Sequence, residues 1–274
     1  MKHNFKWMFA AILICGLTVS SCKKDPTPEP EPEPVKQTVL ASMVGTGVSV
    51  FDSVTYNYEY DADYRLARIE AHLTNTNEPI QDYHFTYTDG NIKVEGTFAG
   101  DLTTYDCTVD SLGRITHMDE TYVHSDTATS ITHFDFTYDA DGHLATSNRL
   151  SEPNGGGAFT KFNWESEELR STDTGDGRIV VDFETSDAPA QAMFSILGYH
   201  VEISELCAQG CFGKLPAHMP SKRTVTTAFP LPGMDPIVKV FDYTYTTNAE
   251  GRLATCEDSS DNGTTKYTFN WEER

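Results

Sequence analysis

Paired acidic side chains are the residues of this chain that most directly suggest a catalytic site. Asp61 and Asp63 are two residues apart, and Glu167 and Glu168 are adjacent. Two carboxylates that flank a substrate at a defined separation can hydrolyse a glycosidic bond. The sequence does not fix that separation, and acids are common at turns. Because neither Gly-x-Ser-x-Gly nor His-Glu-x-x-His occurs either, we expect no enzymatic activity and assign no catalytic residue.

Metal ligation is the second chemistry that the residue types suggest. Asp139-Ala140-Asp141-Gly142 has the carboxylates of a calcium loop, but an EF-hand needs glycine sixth and glutamate twelfth. Here glycine is fourth and the twelfth residue is Leu150, so the segment favours a hairpin turn. His84 and His133 alternate with aromatic residues and are expected on the exposed face of strands. We therefore predict no metal site and no cofactor.

The amino terminus carries the pattern of a secreted, lipidated protein. Lys2 and Lys6 precede an apolar run over residues 7–19, and small residues then lead to Cys22. A charged start, a short apolar run and small residues before a cleavage point are typical of a secretory signal. The four residues ending at Cys22 resemble the lipobox of bacterial lipoproteins. We predict a signal peptide over 1–21 and lipid attachment at Cys22, the alternative being an ordinary signal peptide.

Residues 22–36 predict a stalk between the lipid and the folded domain. Proline recurs at every second position from Pro26 to Pro34, which favours extended polyproline II over helix or sheet. At roughly 3.1 Å per residue the stalk spans about 30–40 Å. Acids soon after a lipidated cysteine are similar to export tags of surface lipoproteins, although Lys23 and Lys24 intervene. We predict an outer-membrane lipoprotein on the cell surface, with a periplasm-facing anchor as the alternative.

The net charge limits the partners of the mature chain. After residue 21 it carries 18 Lys and Arg against 41 Asp and Glu, a net charge of −23. Nucleic acids and anionic membrane surfaces require a basic footprint, so we expect no nucleic-acid partner and membrane contact through the lipid alone. The acids are scattered, which favours a solvated surface over a dedicated cation site.

Four cysteines remain beyond Cys22, and an envelope location permits disulfides. Cys207 and Cys211 could close a tight loop, which would leave Cys107 to pair with Cys256. A zinc site built on the first pair lacks standard ligand spacing. A disulfide between Cys207 and Cys211 is therefore the preferred prediction.

One pattern recurs along the chain and predicts its fold. Two aromatic residues separated by one position are followed by an acidic turn and an aliphatic residue, most clearly in Phe136–Leu144. The second aromatic positions, counting Val109 in a degenerate unit, are mostly 22 to 29 residues apart. Such a period fits one hairpin per unit, with aromatic and polar residues on opposite faces. We predict a mainly β fold, in which repeated antiparallel hairpins form a long meander sheet, curled or rolled.

An insertion at about 186–222 interrupts the repeat. Alternation is lost from 188 to 212, where residues 191–198 and 201–207 suggest short helical turns. The following segment, residues 210–216, is too apolar to be exposed on the surface without a contact to another part of the protein. We expect the insertion to plug the open aromatic face of the sheet, and a ligand gate is the alternative.

The repeat, lipobox, stalk and insertion together resemble the uncharacterised, YD-repeat-like (Rhs-like) lipoproteins of Bacteroidota. The resemblance covers roughly residues 40–274 and implies a single β-rich domain over 37–274, with no established activity. A further resemblance is to the O-glycosylation motif of that phylum, Asp followed by Ser or Thr and a small or aliphatic residue. It implies acceptors among the following residues: Ser53, Ser111 and Thr127.

Two functions from different classes remain at this point. The preferred interpretation is a non-enzymatic envelope module that binds a glycan or a protein partner through aromatic side chains and loops. The alternative is a carrier of apolar ligands or lipid, with residues 188–220 as a lid. A hydrolase is the least favoured.

Overall fold

A computed structural model describes residues 36–48, 51–98, 100–123, 129–152, 155–191, 201–229, 234–261 and 263–274. No helix within these ranges is both long and apolar enough to cross a membrane. The elements are sixteen strands and one helix, in the following order: β1 (Thr38–Val48), β2 (Phe51–Tyr60), β3 (Leu66–Leu73), β4 (Pro79–Thr88), β5 (Asn91–Phe98), β6 (Asp101–Val109), β7 (Ile115–Val123), β8 (Thr129–Tyr138), β9 (Leu144–Glu152), β10 (Gly156–Glu165), β11 (Glu168–Thr174), β12 (Ile179–Pro189), α1 (Val201–Ala208), β13 (His218–Thr227), β14 (Ile237–Thr247), β15 (Leu253–Ser260) and β16 (Gly263–Glu273).

The sheet is a closed barrel. Each strand pairs antiparallel with the next along the chain, and β1 pairs with β16 from Thr38↔Glu273 to Thr46↔Lys266. The prediction of a mainly β, antiparallel meander is confirmed, but the sheet is closed, not an open curled sheet. Closure removes the two edge strands, whose unpaired amides and carbonyls would otherwise lie open to water and to other chains.

Alternation along each strand separates an apolar lumen from a polar outer wall. In β4, Tyr83 and Phe85 are buried inside the barrel, whereas Asp82 and His84 lie on the outside. The buried aromatic and aliphatic residues of the strands form one continuous core that fills the lumen at one end of the barrel. The repeat of the sequence is therefore a repeat of inward-facing core residues.

The second aromatic residue of each unit also links that unit to the preceding hairpin. Tyr138 Oη donates to Ile115 O at 2.6 Å, and Trp164 Nε1 donates to Leu144 O at 2.8 Å. The same contact recurs in four other units: Tyr60 to Leu40, Tyr87 to Leu66, Tyr245 to Pro220 and Trp271 to Leu253. The side chain of Val109 has no N–H or O–H group, so the degenerate unit lacks this hydrogen bond.

Replacing Tyr138 by phenylalanine is expected to reduce the free energy of unfolding by about 1 kcal/mol, because one buried hydrogen bond is lost while the ring is retained. Tyr64→Phe is the matched control, since the Tyr64 hydroxyl makes a comparable bond to Arg274 O in an exposed position. Urea unfolding of the two variants provides the comparison. Equal stability of Tyr138→Phe and wild type would show that the aromatic-to-carbonyl link contributes nothing.

The acidic turns are hairpin turns closed by one aspartate or asparagine. Asp139 Oδ1 accepts hydrogen bonds from the backbone N–H groups of Asp141 and His143 at 3.0 and 2.9 Å. The same pair of bonds occurs at Asp61, Asp110 and Asn248. Gly142 has φ +92° and supplies the left-handed conformation that this turn requires. The turn, and not a calcium loop, is what the repeated acids build.

Candidate functional site

The outer wall carries interleaved charges along its strands. Arg68 Nε donates to Asp82 Oδ1 at 2.8 Å across β3 and β4, and Lys93 pairs with Glu95 at 2.8 Å along β5. Such exposed ion pairs contribute little to stability individually, but their charges keep the outer wall hydrated. Concave, partly apolar surfaces suited to a ligand are found instead at the two ends of the barrel.

One end is closed by a plug formed by α1 and residues 209–217. Phe212 is buried against Phe136, with ring centroids 5.1 Å apart in an edge-to-face arrangement. The plug backbone also bonds to the strand turns, through Ile115 N to Cys211 O at 2.7 Å and Lys214 N to Gly142 O at 2.9 Å. The expected plug is confirmed for this part of the insertion. The first proposed helical turn, at residues 191–198, lies almost wholly outside the described residues.

A buried carboxyl group sits inside this plug. Glu205 of α1 is 8% exposed, and burial raises its pKa to about 7. The hydroxyl of Tyr58 is close enough to interact with it, but the two groups do not adopt hydrogen-bond geometry. Glu205, together with Tyr60 and Trp271, lines a pocket of about 370 Å³ between the plug and the barrel rim. This pocket lies where β1 begins, since Thr38 and Leu40 also line it.

The opposite end contains a second pocket, of about 400 Å³, which we call the mouth pocket. Ten residues from β4 to β9 line it: Gln81, Tyr83, Phe98, Thr103, Tyr105, Glu120, Tyr122, Ser130, Thr132 and Arg149. The strand registers place all of them on the lumen face, because they alternate with outward residues such as Asp82, Leu102 and Leu150. The lumen therefore changes from an apolar core at the plug to a polar, aromatic surface at the mouth.

The mouth pocket has a buried floor and a more exposed rim. Tyr83 and Tyr105 are each 2% exposed and form the floor, whereas Phe98 is 40% exposed at the rim. Tyr122 Oη donates to Asp101 Oδ2 at 2.5 Å, and this bond raises the pKa of the tyrosine. The Arg149 guanidinium lies 6.0 Å from the centre of the Phe134 ring. Rings, hydroxyls, an amide and both signs of charge thus converge on one concavity.

One acid of each pair takes part in a turn or an ion pair. The Asp61 carboxylate accepts bonds from the backbone of its own turn and from Arg65 Nε at 2.8 Å. Glu168 pairs with His218 Nδ1 at 2.6 Å, beside the plug. Asp61 therefore serves a turn, and Glu168 serves an ion pair. His84 and His133 lie on the outer wall as expected.

All four cysteines in the described part of the chain are free, buried thiols in this structure. The bridge between Cys207 and Cys211 stays a prediction. The backbone between them caps the helix, since Gly210 N bonds to Cys207 O at 2.9 Å. Burial raises the pKa of the Cys211 thiol to about 11, which suppresses the thiolate needed for disulfide exchange at neutral pH. Cys107 and Cys256 are likewise unpaired.

The predicted modification sites remain predictions. Ser53 lies on β2, where its hydroxyl donates to Thr74 Oγ1 at 2.9 Å, and Ser111 is exposed in a turn at the plugged end. Thr127 and the lipid-attachment residue Cys22 lie outside the described residues.

Sequence reasoning missed the mouth pocket. Its residues come from six strands, and only the register of the closed barrel brings them together. A signal was present nevertheless, because polar residues such as Gln81 and Glu120 occupy positions in phase with the aromatic series. A charged residue in the buried phase of a strand indicates a lumen that is not entirely core.

No family model matches this chain, and no curated protein matches it. Two solved structures have the same architecture. One is a porin-like protein from Bacteroides uniformis, 14% identical, with a TM-score of 0.58 over 85% of this chain and 98% of that one. The other is a porin-like protein from Bacteroides vulgatus, 8% identical, with a TM-score of 0.61 over 86% of this chain and 99% of that one. At these identities the likeness shows the fold, and the chain has the closed antiparallel barrel of these porin-like proteins.

Proposed function

We propose that this chain is a non-enzymatic envelope protein that binds a neutral saccharide in its mouth pocket. The observation that carries the proposal is the convergence of aromatic rings with hydrogen-bonding side chains on one lumen surface. Saccharides present apolar ring faces that pack on aromatic rings, and hydroxyls that need both donors and acceptors. Phe98 and Tyr122 supply the rings, and Gln81, Glu120 and Arg149 supply both kinds of polar group.

Lipid attachment at Cys22 is the proposed link to the outer membrane, with the barrel itself outside the bilayer. A lipid-facing barrel wall needs an apolar band about 25 Å tall and usually encloses a polar interior. Here charged pairs such as Arg68–Asp82 and Lys93–Glu95 lie on the wall, and the apolar residues fill the lumen. This arrangement favours a water-facing barrel, whether on the cell surface or facing the periplasm.

The lipid-carrier alternative finds less support in the geometry. Around the plug the lumen is occupied by buried side chains such as Phe136, Phe162 and Phe212. The mouth pocket carries charged and polar side chains, which an acyl chain would leave unsatisfied. A protein partner remains compatible with the exposed apolar residues Leu102 and Leu150 near the mouth. Membership of the YD-repeat-like lipoproteins likewise stays a prediction.

The test is a screen of defined neutral and acidic oligosaccharides against the chain from residue 22 onward, with Cys22→Ser to prevent lipidation. For a bound neutral oligosaccharide, calorimetry should show at least about tenfold weaker binding in Phe98→Ala and Arg149→Ala. Leu102→Ala is the matched control, because it removes an equally exposed apolar side chain from the same end but from the outer wall.

Three outcomes would contradict the proposal. They are the absence of saccharide binding above background, equal weakening by the control, and preferential binding of acidic oligosaccharides. Co-purification of lipid with the wild-type protein would favour the carrier instead.

A further inference from the structure

Two His-x-Asp segments face each other on the outer wall, away from both pockets. One is His117-Met118-Asp119 on β7, and the other is His133-Phe134-Asp135 on β8. The antiparallel register pairs His117 with Asp135 and Asp119 with His133. Each histidine thus lies opposite an aspartate, and we propose that this patch, here called the histidine–aspartate patch, binds a divalent transition-metal ion, with Zn²⁺ as the preferred occupant.

Three donor atoms converge in the geometry that such an ion needs. Asp119 Oδ1 lies 3.0 Å from His117 Nε2 and 2.6 Å from His133 Nδ1. The donor atoms of these three residues all lie within 4.8 Å of one another. Bonds from Zn²⁺ to imidazole nitrogen and carboxylate oxygen are about 2.0–2.2 Å long, which places neighbouring donors roughly 3 Å apart. A small rearrangement of these side chains around one ion therefore suffices.

The imidazole groups are already oriented by a second set of carboxylates. Asp135 Oδ1 lies 2.7 Å from His117 Nδ1, so the N–H of His117 is held on that side and the Nε2 lone pair faces the patch. Glu152 lies 3.9 Å from His133 Nε2, within ion-pair distance but without a hydrogen bond. The rings are nearly parallel, 22° apart, with centroids at 6.4 Å.

The donor set determines the class of ion. Two imidazole nitrogens and one carboxylate suit zinc and its first-row neighbours, whereas calcium takes oxygen ligands in greater number. The histidine and aspartate side chains are 32–40% exposed, which leaves room for water to complete the coordination sphere. The other candidate group, Asp139 with Asp141 and His143, is less suited because the Asp139 oxygens already serve the turn and His143.

The test is a Zn²⁺ titration of the full mature chain against a chromophoric chelator, with unfolding midpoints recorded to verify folding. Wild type should bind one ion at the patch, and His117→Gln/His133→Gln should bind it at least about tenfold more weakly. His84→Gln is the matched control, since His84 stands beside Asp82 on the same wall at 3.3 Å without a second histidine. It should leave the affinity unchanged.

Binding at the patch should also be visible directly. In the wild-type protein, the NMR signals of the His117 and His133 rings should shift on addition of Zn²⁺, and those of His84 should not. An unchanged affinity in the double variant, or ring signals that do not respond, would overturn the proposal and leave two cross-strand ion pairs. Saccharide binding by the same variants is expected to be intact, so this site and the mouth pocket can fail independently.

Discussion

Replacement of Phe212 by alanine is expected to reduce the free energy of unfolding by about 3–5 kcal/mol, the range observed for large aromatic residues in well-packed cores. Phe212 is 3% exposed and packs edge-to-face on Phe136, so its removal leaves a cavity where the plug meets the barrel. The neighbouring Gly213 has little room for adjustment, because a Cβ there would lie 2.4 Å from Gly142 O. The plug cannot simply slide inward to fill the void.

Urea denaturation measures this effect, and Phe229→Ala is its matched control. Phe229 is 37% exposed near the mouth, and its truncation should cost less than about 1 kcal/mol. If Phe212→Ala fails to fold, Phe212→Leu keeps most of the volume and is expected to cost less than the alanine variant. A loss below about 1 kcal/mol in Phe212→Ala would mean that the plug rests on the barrel without being part of its core.

The sequence predicted the hairpins well because their causes are local. The alternation of Phe136 and Tyr138 with polar residues, and the Asp139 turn that follows, are contained in one short stretch. Closure of the sheet depends on pairing between β1 and β16, at opposite ends of the domain, and no local pattern encodes that partner choice.

The functional surfaces depended even more on register. From the sequence alone, Arg149 has the pattern of an exposed strand residue. Its pairing with Phe134 shows that it lies in the lumen. No local pattern in the sequence links His117 to its partner Asp135, because the two are 18 residues apart. The cysteine spacing did not reveal that the residues connecting Cys207 and Cys211 cap a helix. Residues that are close in the sequence allowed the turns to be predicted. They did not allow the mouth pocket or the histidine–aspartate patch to be predicted.

The second large expected effect concerns Glu205 and pH. Its ordinary pKa is near 4.5, and burial raises it to about 7 in the folded protein. Between these values the folded chain keeps a proton that the unfolded chain has released, so the folded state binds more protons and stability falls as pH rises. The contribution amounts to about 3 kcal/mol across the interval and is fully developed above pH 7. Glu205→Gln removes the titration and should flatten this part of the profile.

The comparison between wild type and Glu205→Gln isolates that contribution, because every other titrating group is common to both. Near pH 4.5 the two proteins should be about equally stable, and near pH 8 the glutamine variant should be more stable than wild type. Glu184→Gln removes the same charge from the exposed outer wall and should leave the profile of wild type unchanged. A constant difference between wild type and Glu205→Gln at every pH would mean that Glu205 does not titrate differently on folding. A stability gain confined to high pH would instead show that α1 carries a charge the barrel tolerates poorly, so that the plug is held most firmly when Glu205 is neutral.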